Sequence, residues 1–289
     1  MRYRMLAVDL DGTLLDSQGQ LSQANVDAIQ RAIDVGIRVV PCTGRAWCES
    51  RIVLRDLPKA PLIATGVFVT GATISELATG RTLEISVLEP HLALELVKHL
   101  WDLPEAVLIF RDANQVGHDY LVTGSGRVTP NTQLWFEMTG ANVQAQDQVT
   151  IDDLHHTMRV GVVAIGTHMG ETKQQLQVTF EPRVVIQHFE AIQEPYPDQT
   201  IHVLEVFAAG VDKWHGLTWL AQQHGIESGQ IAAIGDQIND VMMLREAGCG
   251  IAMANAAAPT AAVADHLTRS CDENGVAHAI DQLLAETWA

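Results

Sequence analysis

With 289 residues, 47% of them hydrophobic and 18% charged, the chain is long enough for two packed domains of roughly 100–200 residues each and too apolar for extensive disorder. A formal net charge of −17 excludes the basic footprint that non-specific nucleic-acid binding requires, but not an anionic small molecule, because a local cation or metal reverses the field inside one cleft. No apolar run reaches the ~18–20 residues of a membrane span. The first residues lack a secretory-signal pattern, and the spacing of Cys42, Cys48, Cys249 and Cys271 fits neither a disulfide framework nor a zinc site, so a cytoplasmic protein with reduced thiols is expected.

Residues 5–9 (MLAVD) read as a buried parallel strand. Residues 22–35 place Val26, Ile29 and Ile33 at helical spacing, with Ser22 as N-cap and Gly36 as C-cap. A strand at 37–42, a helix at 46–56 and a third strand at 61–65 follow, and this alternation predicts a doubly wound α/β sheet. The middle of the chain is less regular. It predicts a hairpin over 74–87 turning at Thr79-Gly80, helices at 89–101, 131–138 and 170–178, and strands near 106–111, 119–123, 159–165, 183–189 and 201–207. The α/β rhythm returns with a helix at 213–224, a strand at 231–235, a helix at 238–247, a strand at 249–252 and a helix at 275–286. The resulting expectation is a Rossmann-like α/β core built from residues 1–83 and 209–289, with an α+β domain inserted over 84–208.

Four segments carry the chemistry, three of them just past a predicted strand, the edge where open α/β sheets bind ligands. In Asp9-Leu10-Asp11-Gly12-Thr13 two carboxylates two positions apart point into one site as a strand ends, and Gly12 lets amides face an anion. One carboxylate suits a nucleophile and the other a general acid and base; an acidic turn capping a helix is the bland alternative. Thr43-Gly44-Arg45 offers a hydroxyl and an amide to phosphate oxygens, or is an ordinary strand-to-helix turn. Lys213 begins a predicted helix, where the helix dipole disfavours a cation unless an anion is near; alone it reads as a surface lysine. Gly235-Asp236-Gln237-Ile238-Asn239-Asp240 supplies oxygen donors suited to Mg²⁺, or a capped helix start.

In this order and at these strand ends, the four segments resemble the motifs of the haloacid dehalogenase superfamily, and the long insert is similar to the α/β cap of its Cof-type sugar-phosphate phosphatases. The resemblance implies an HAD-like core with a specificity cap that closes over the site. It also implies Asp9 as nucleophile, Asp11 as general acid and base, and Thr43 and Lys213 holding the transferring phosphoryl group, with Gly12, Gly44, Arg45 and Asn239 toward the substrate. Mg²⁺ would sit on Asp9, the Asp11 carbonyl and Asp236, with Asp240 as a direct ligand or as a support to that shell. An acid at position 11 favours phosphatase or phosphomutase over dehalogenase chemistry. The implied partner is a small-molecule phosphate ester, with no nucleic acid or membrane; a phosphomutase and a catalytically silent phospho-metabolite-binding protein are the alternatives. One departure stands out: the family usually carries Asn-Gly-Ala where this chain has Thr70-Gly71-Ala72. The 12 histidines show no zinc spacing, Gly124-Ser125-Gly126 lacks a full dinucleotide fingerprint, and Trp214 and Trp219 read as packing residues.

Overall fold

The computed structural model describes residues 2–165, 168–192 and 200–288. The chain divides into two compact units, Met1–Glu84 with Asp212–Ala289, and Ile85–Val211.

The first unit opens with β1 (Met5–Val8), buried along its whole length. A tight turn leads to α1 (Gln23–Asp34), which starts where the Ser22 side chain accepts from Asn25 N and buries Ala28, Ile29, Ala32 and Ile33 along one face. The Asn25 amide then ties this helix inward, its Nδ2 donating to Leu14 O at 3.0 Å and its Oδ1 accepting from Ala277 N at 3.0 Å. β2 (Arg38–Pro41) and α2 (Trp47–Leu54) follow. The strand expected at 61–65 lies elsewhere: Pro61–Ile63 is a tight 3-10 turn, and the strand is β3 (Thr65–Phe68). Pro61 fixes its own φ and has no N–H to give a ladder, so it begins a turn, and Thr65 and Gly66 open the strand that follows. β3 runs antiparallel to β4 (Thr73–Glu76), which is flanked in turn by β5 (Thr82–Ile85). A parallel bridge between Cys42 and Val67 joins this small sheet to the extension of β2.

The second unit contains α3 (Pro90–Leu100), β6 (Val107–Arg111), α4 (Ala113–Val116), β7 (Tyr120–Thr123), α5 (Pro130–Thr139), β8 (Val143–Ala145), β9 (Thr157–Ile165), α6 (Met169–Phe180), β10 (Val184–Ile192) and β11 (Ile201–Ala208). Its sheet runs β10-β11-β9-β6-β7-β8, antiparallel except for the β7–β8 pair. Alternate residues, among them Val107, Ile109, Leu121, Val160, Val162 and Leu204, pack with Leu96 and Leu100 of α3 and with Leu176 and Phe180 of α6. On the opposite register positions Arg159 pairs with Glu205, donates to the Tyr120 hydroxyl at 2.7 Å, and lies 4.9 Å from the Phe110 ring centre. β8 and α4 have no counterpart in the sequence reading: the first is three exposed residues and the second a single turn, too short to impose a periodicity.

The chain then completes the first unit with α7 (Lys213–Gln223), β12 (Ile231–Gly235), α8 (Val241–Glu246), β13 (Cys249–Ala252), α9 (Ala258–Ala261), β14 (His266–Leu267) and α10 (Gly275–Leu284). The parallel sheet has the order β14-β13-β12-β1-β2. From β1 the chain steps one way to β2, and from β12 it steps the other way to β13 and β14, so the strand order reverses between β1 and β12. Met5 and Ala7 share a core with Leu217, Leu220, Met243 and Leu244, against which Trp214 and Trp219 also pack; α1 packs on α10. The result is a doubly wound Rossmann-like core. Among the described residues no helix is long and apolar enough to cross a membrane.

The β3–β4 connection is held against the start of α7. Gly71 has φ +96°, and a Cβ there would lie 1.8 Å from Asp212 O. Gly71→Ala therefore combines a left-handed backbone with a backbone clash, and urea unfolding is expected to show a loss of about 2–4 kcal/mol.

Candidate active site

The site forms where β1, β2 and β12 end together. Asp9 N donates to Ile234 O at 3.0 Å, carrying the β1–β12 ladder one residue past the strand. The chain then turns through Gly12, at φ +72°, and closes with Leu14 N to Asp9 O at 3.2 Å and Leu15 N to Leu10 O at 2.8 Å. A side chain at position 12 is excluded twice, by the left-handed backbone and because its Cβ would lie 2.4 Å from Asp236 Oδ2. That close approach lets Thr13 Oγ1 donate to Asp236 Oδ1 at 2.9 Å. Gln237 Nε2 and Asn255 Nδ2 reach Asp236 Oδ2 at 3.3 and 3.4 Å, and Asn255 Nδ2 also donates to Gly12 O at 2.8 Å. Asn255 was missed by the sequence reading; its signal is an amide just beyond the buried strand β13, the same placement that singled out the acids.

Lys213 is the first residue of α7 and is fully buried. Its Nζ donates to Asp9 Oδ1 and to Asp240 Oδ1, each at 2.6 Å. The mismatch between a cation and a helix N-terminus is thus met by two carboxylates. The other oxygen of Asp240, Oδ2, accepts from Asp236 N and Gln237 N, both at 3.0 Å. Three donors on a fully buried carboxylate make Asp240 a clamp that fixes Lys213 and the β12–α8 turn. Asp9 Oδ2 accepts no hydrogen bond from the described residues.

Asp9, Asp236 and Asp240 bring one oxygen each within 4.8 Å of one another. Three carboxylates beside one ammonium leave two formal negative charges in a buried cluster, an arrangement that is unfavourable unless a cation completes it. The all-oxygen donor set fits a hard divalent cation. The electrostatics follow from this crowding. Burial, reinforced by Asp240, Asp236 and Asp11, holds the Asp9 carboxyl well above the usual range despite Lys213. Burial and Asp240 push Asp236 up to about 6. Burial opposes the charge on Lys213, but Asp240 and Asp9 outweigh it and raise its pKa above the ordinary lysine value.

Asp11 lies apart from this carboxylate cluster. Its side chain is 51% exposed and is gripped by Arg45, with Nε donating to Oδ2 at 2.8 Å and Nη2 meeting Oδ1. Arg45 follows the loop that leaves β2, where Thr43 is buried and its hydroxyl accepts from Arg45 N at 3.1 Å. Gly44 faces Thr70 Oγ1 and Asn239 Nδ2; Thr70 Oγ1 and Asn239 Oδ1 are buried without a hydrogen-bond partner among the described residues.

A family model for haloacid dehalogenase-like hydrolases matches residues 6–280. The chain is 31% identical to the 5-amino-6-(5-phospho-D-ribitylamino)uracil phosphatase YwtE of Bacillus subtilis, with 99% of this chain and 100% of that protein covered. It is 28% identical to YitU, a phosphatase of the same name from the same organism, over 94% of each. Among solved structures, a haloacid dehalogenase-like hydrolase from Bacteroides thetaiotaomicron superposes with a TM-score of 0.77 at 24% identity, covering 97% of this chain and 99% of that one; this is a likeness of fold.

Two outcomes test the cluster. Lys213→Met leaves the buried carboxylates facing one another, and denaturant unfolding without metal is expected to show a loss of about 3–5 kcal/mol, partly restored by a divalent cation. The second concerns pH. Asp236 has an ordinary value of 3.8 and titrates near 6 in the fold, so between these values the folded chain holds a proton that the unfolded chain has released. Stability from this group is present at the acid end and is lost as pH rises through about 6. In chelator, the thermal midpoint of the wild type should fall relative to that of Asp236→Asn across this window; parallel profiles would contradict the assignment.

Proposed function

We propose, from the premise that the chain belongs to the haloacid dehalogenase-like hydrolases, that it is a magnesium-dependent phosphatase acting on a small phosphorylated metabolite through an aspartyl-phosphate on Asp9. The observation that carries this reading is the Asp9 carboxylate itself, buried at the strand-order reversal, fixed through Oδ1 by Lys213 and accepting no hydrogen bond at Oδ2 from the described residues. A nucleophile needs one oxygen oriented and the other available for in-line attack.

In the first half-reaction Asp9 Oδ2 attacks phosphorus, the bond to the ester oxygen breaks, and Asp11 gives its proton to the leaving alkoxide. In the second, Asp11 as carboxylate takes a proton from water as that water attacks the acyl-phosphate, releasing orthophosphate and restoring Asp9. Lys213 offsets the repulsion between carboxylate and phosphate dianion, while Thr43, the Gly44 amide and Asn239 orient the equatorial oxygens. Mg²⁺, held by Asp9, the Asp11 carbonyl and Asp236 with Asp240 behind them, supplies further neutralisation of phosphoryl charge when bound. The Arg45 pairing with Asp11 opens to let the acid reach the leaving group, and Arg45 is then available to an anionic substrate.

The substrate class proposed is a phosphorylated sugar or sugar-like metabolite. Two relatives named as 5-amino-6-(5-phospho-D-ribitylamino)uracil phosphatases support including that compound in the first panel beside simple sugar phosphates and nucleotides. The first experiment is phosphate release from a generic aryl phosphate with Mg²⁺ or chelator, for wild type and Asp9→Asn. The expected outcome is release that requires the metal and falls by on the order of 10²–10³ or more in the variant. Equal activity of wild type and Asp9→Asn would sink the mechanism, and a folded wild type silent across the whole panel would mark a binding protein.

A further inference from the structure

We propose that His188 and His202, completed by Glu190, form a second metal site, one for a nitrogen-preferring transition-metal ion such as Zn²⁺, in the sheet of the second unit. The site goes beyond the phosphatase reading and does not depend on it.

Strand register gives the first reason. In the antiparallel pairing of β10 with β11, Glu190 lies opposite His202 and His188 opposite Leu204. Directly opposed residues share one face of a sheet, as do residues two apart on one strand. All three side chains therefore rise from the face that carries Ile186 and Leu204. The histidines are 14 positions apart in the chain, a separation that matches no zinc motif, so it is strand pairing that brings them together.

Geometry gives the second reason. His188 Nε2 and His202 Nδ1 lie 3.1 Å apart, with ring centres 5.2 Å apart. Two nitrogens held by one ion at about 2.0–2.1 Å are separated by about 2.9–3.4 Å for bond angles of roughly 90–109°. The rings already stand at the separation a chelated ion needs. Without an ion, one facing nitrogen donates its proton to the lone pair of the other. On binding, that ring carries its proton on the far nitrogen instead, and a small turn of the rings aims both lone pairs at the ion. No proton is released in this exchange.

Electrostatics give the third. His202 is 7% exposed. Burial, aided by His202 and Lys173 and opposed by Glu190, lowers the His188 pKa below the ordinary histidine value, and the neutral imidazole is the form that binds metal. Among the described residues only Asp9, Asp236 and Asp240 already gather three donor atoms within 4.8 Å, so Glu190 joins the pair by turning its exposed side chain. Two imidazoles, one carboxylate and a water fill the four positions of zinc, and the carboxylate offsets the charge of Lys173. An ion there pins the edge strand β10 to β11.

Zn²⁺ binding to the full chain in excess Mg²⁺ is measured by calorimetry for wild type, His188→Gln, His202→Gln and Glu190→Gln, with the metal-free thermal midpoint of each. Cu²⁺ serves as the spectroscopic probe, because electron paramagnetic resonance resolves nitrogen ligands and the carboxylate cluster binds through oxygen. His188→Gln, at a half-buried position, is expected to keep its midpoint and its Mg²⁺-dependent phosphate release. It should bind Zn²⁺ on the order of tenfold or more weakly than wild type and show the coupling of one imidazole in place of two. Glu190→Gln should weaken Zn²⁺ binding with both imidazoles still coupled. Zn²⁺ affinity and copper spectrum unchanged in His188→Gln would overturn the site, as would a loss confined to His202→Gln that follows a lowered midpoint. A wild type that binds Zn²⁺ through His188 but releases no phosphate from any ester would overturn the phosphatase reading and leave the metal site standing.

Discussion

The ammonium of Lys213, buried between Asp9 and Asp240 at 2.6 Å from each, is the interaction on which the rest of the core depends. Burying a lysine is unfavourable unless the charge is paired and hydrogen-bonded, and here the pairing reaches across the chain to residues far apart in sequence. It draws the N-terminus of α7, the end of β1 and the turn after β12 to one point. The pairing does not neutralise the cluster, because Asp236 stands beside it and is itself pushed up to about 6. The fold thus holds a centre of unbalanced negative charge, which is poor design for stability alone and suitable for holding a divalent cation against an anionic ligand.

Sheet topology explains why this centre can exist. β1 lies between β12 and β2, so the two ends of the chain contribute adjacent strands, and the strand order reverses between β1 and β12. At such a reversal the connections diverge to opposite faces and leave a crevice at the carboxyl ends. Asp9 and Asp236 are the first residues beyond the two strands that border it. Buried apolar runs at β1 and β12 keep the backbone rigid below, and the polar turns above them are held by Thr13, Gln237 and Asn255. The site is a consequence of placing short polar turns on a rigid parallel sheet.

The second unit solves a different problem. Its mainly antiparallel sheet buries one face under α3 and α6, and the alternate positions hold an Arg159–Glu205 ion pair surrounded by Phe110 and Tyr120. A paired and hydrogen-bonded guanidinium over aromatic rings is a fixed polar feature, set on rigid strands and away from loops.

The sequence by itself determined the class of fold, because alternating buried strands and amphipathic helices at both ends of the chain leave few topologies. It also singled out Asp9, Asp11 and the 235–240 segment, since acids and glycines directly after apolar strands are local signals, whereas Lys213, at a helix start, stood out only together with them. Period and composition located α1, α3, β9 and α7 closely for the same reason. What needed the tertiary structure was every long-range pairing. The shift of the third strand to Thr65–Phe68 turns on antiparallel pairing with β4, and β8 and β14 are too short to carry a pattern. The grip of Arg45 on Asp11, the three donors on Asp240, the role of Asn255 and the unsatisfied hydroxyl of Thr70 depend on side chains from different strands meeting in space. Periodicity records which way a residue faces along its own element; it holds no information about which distant residue it will meet there.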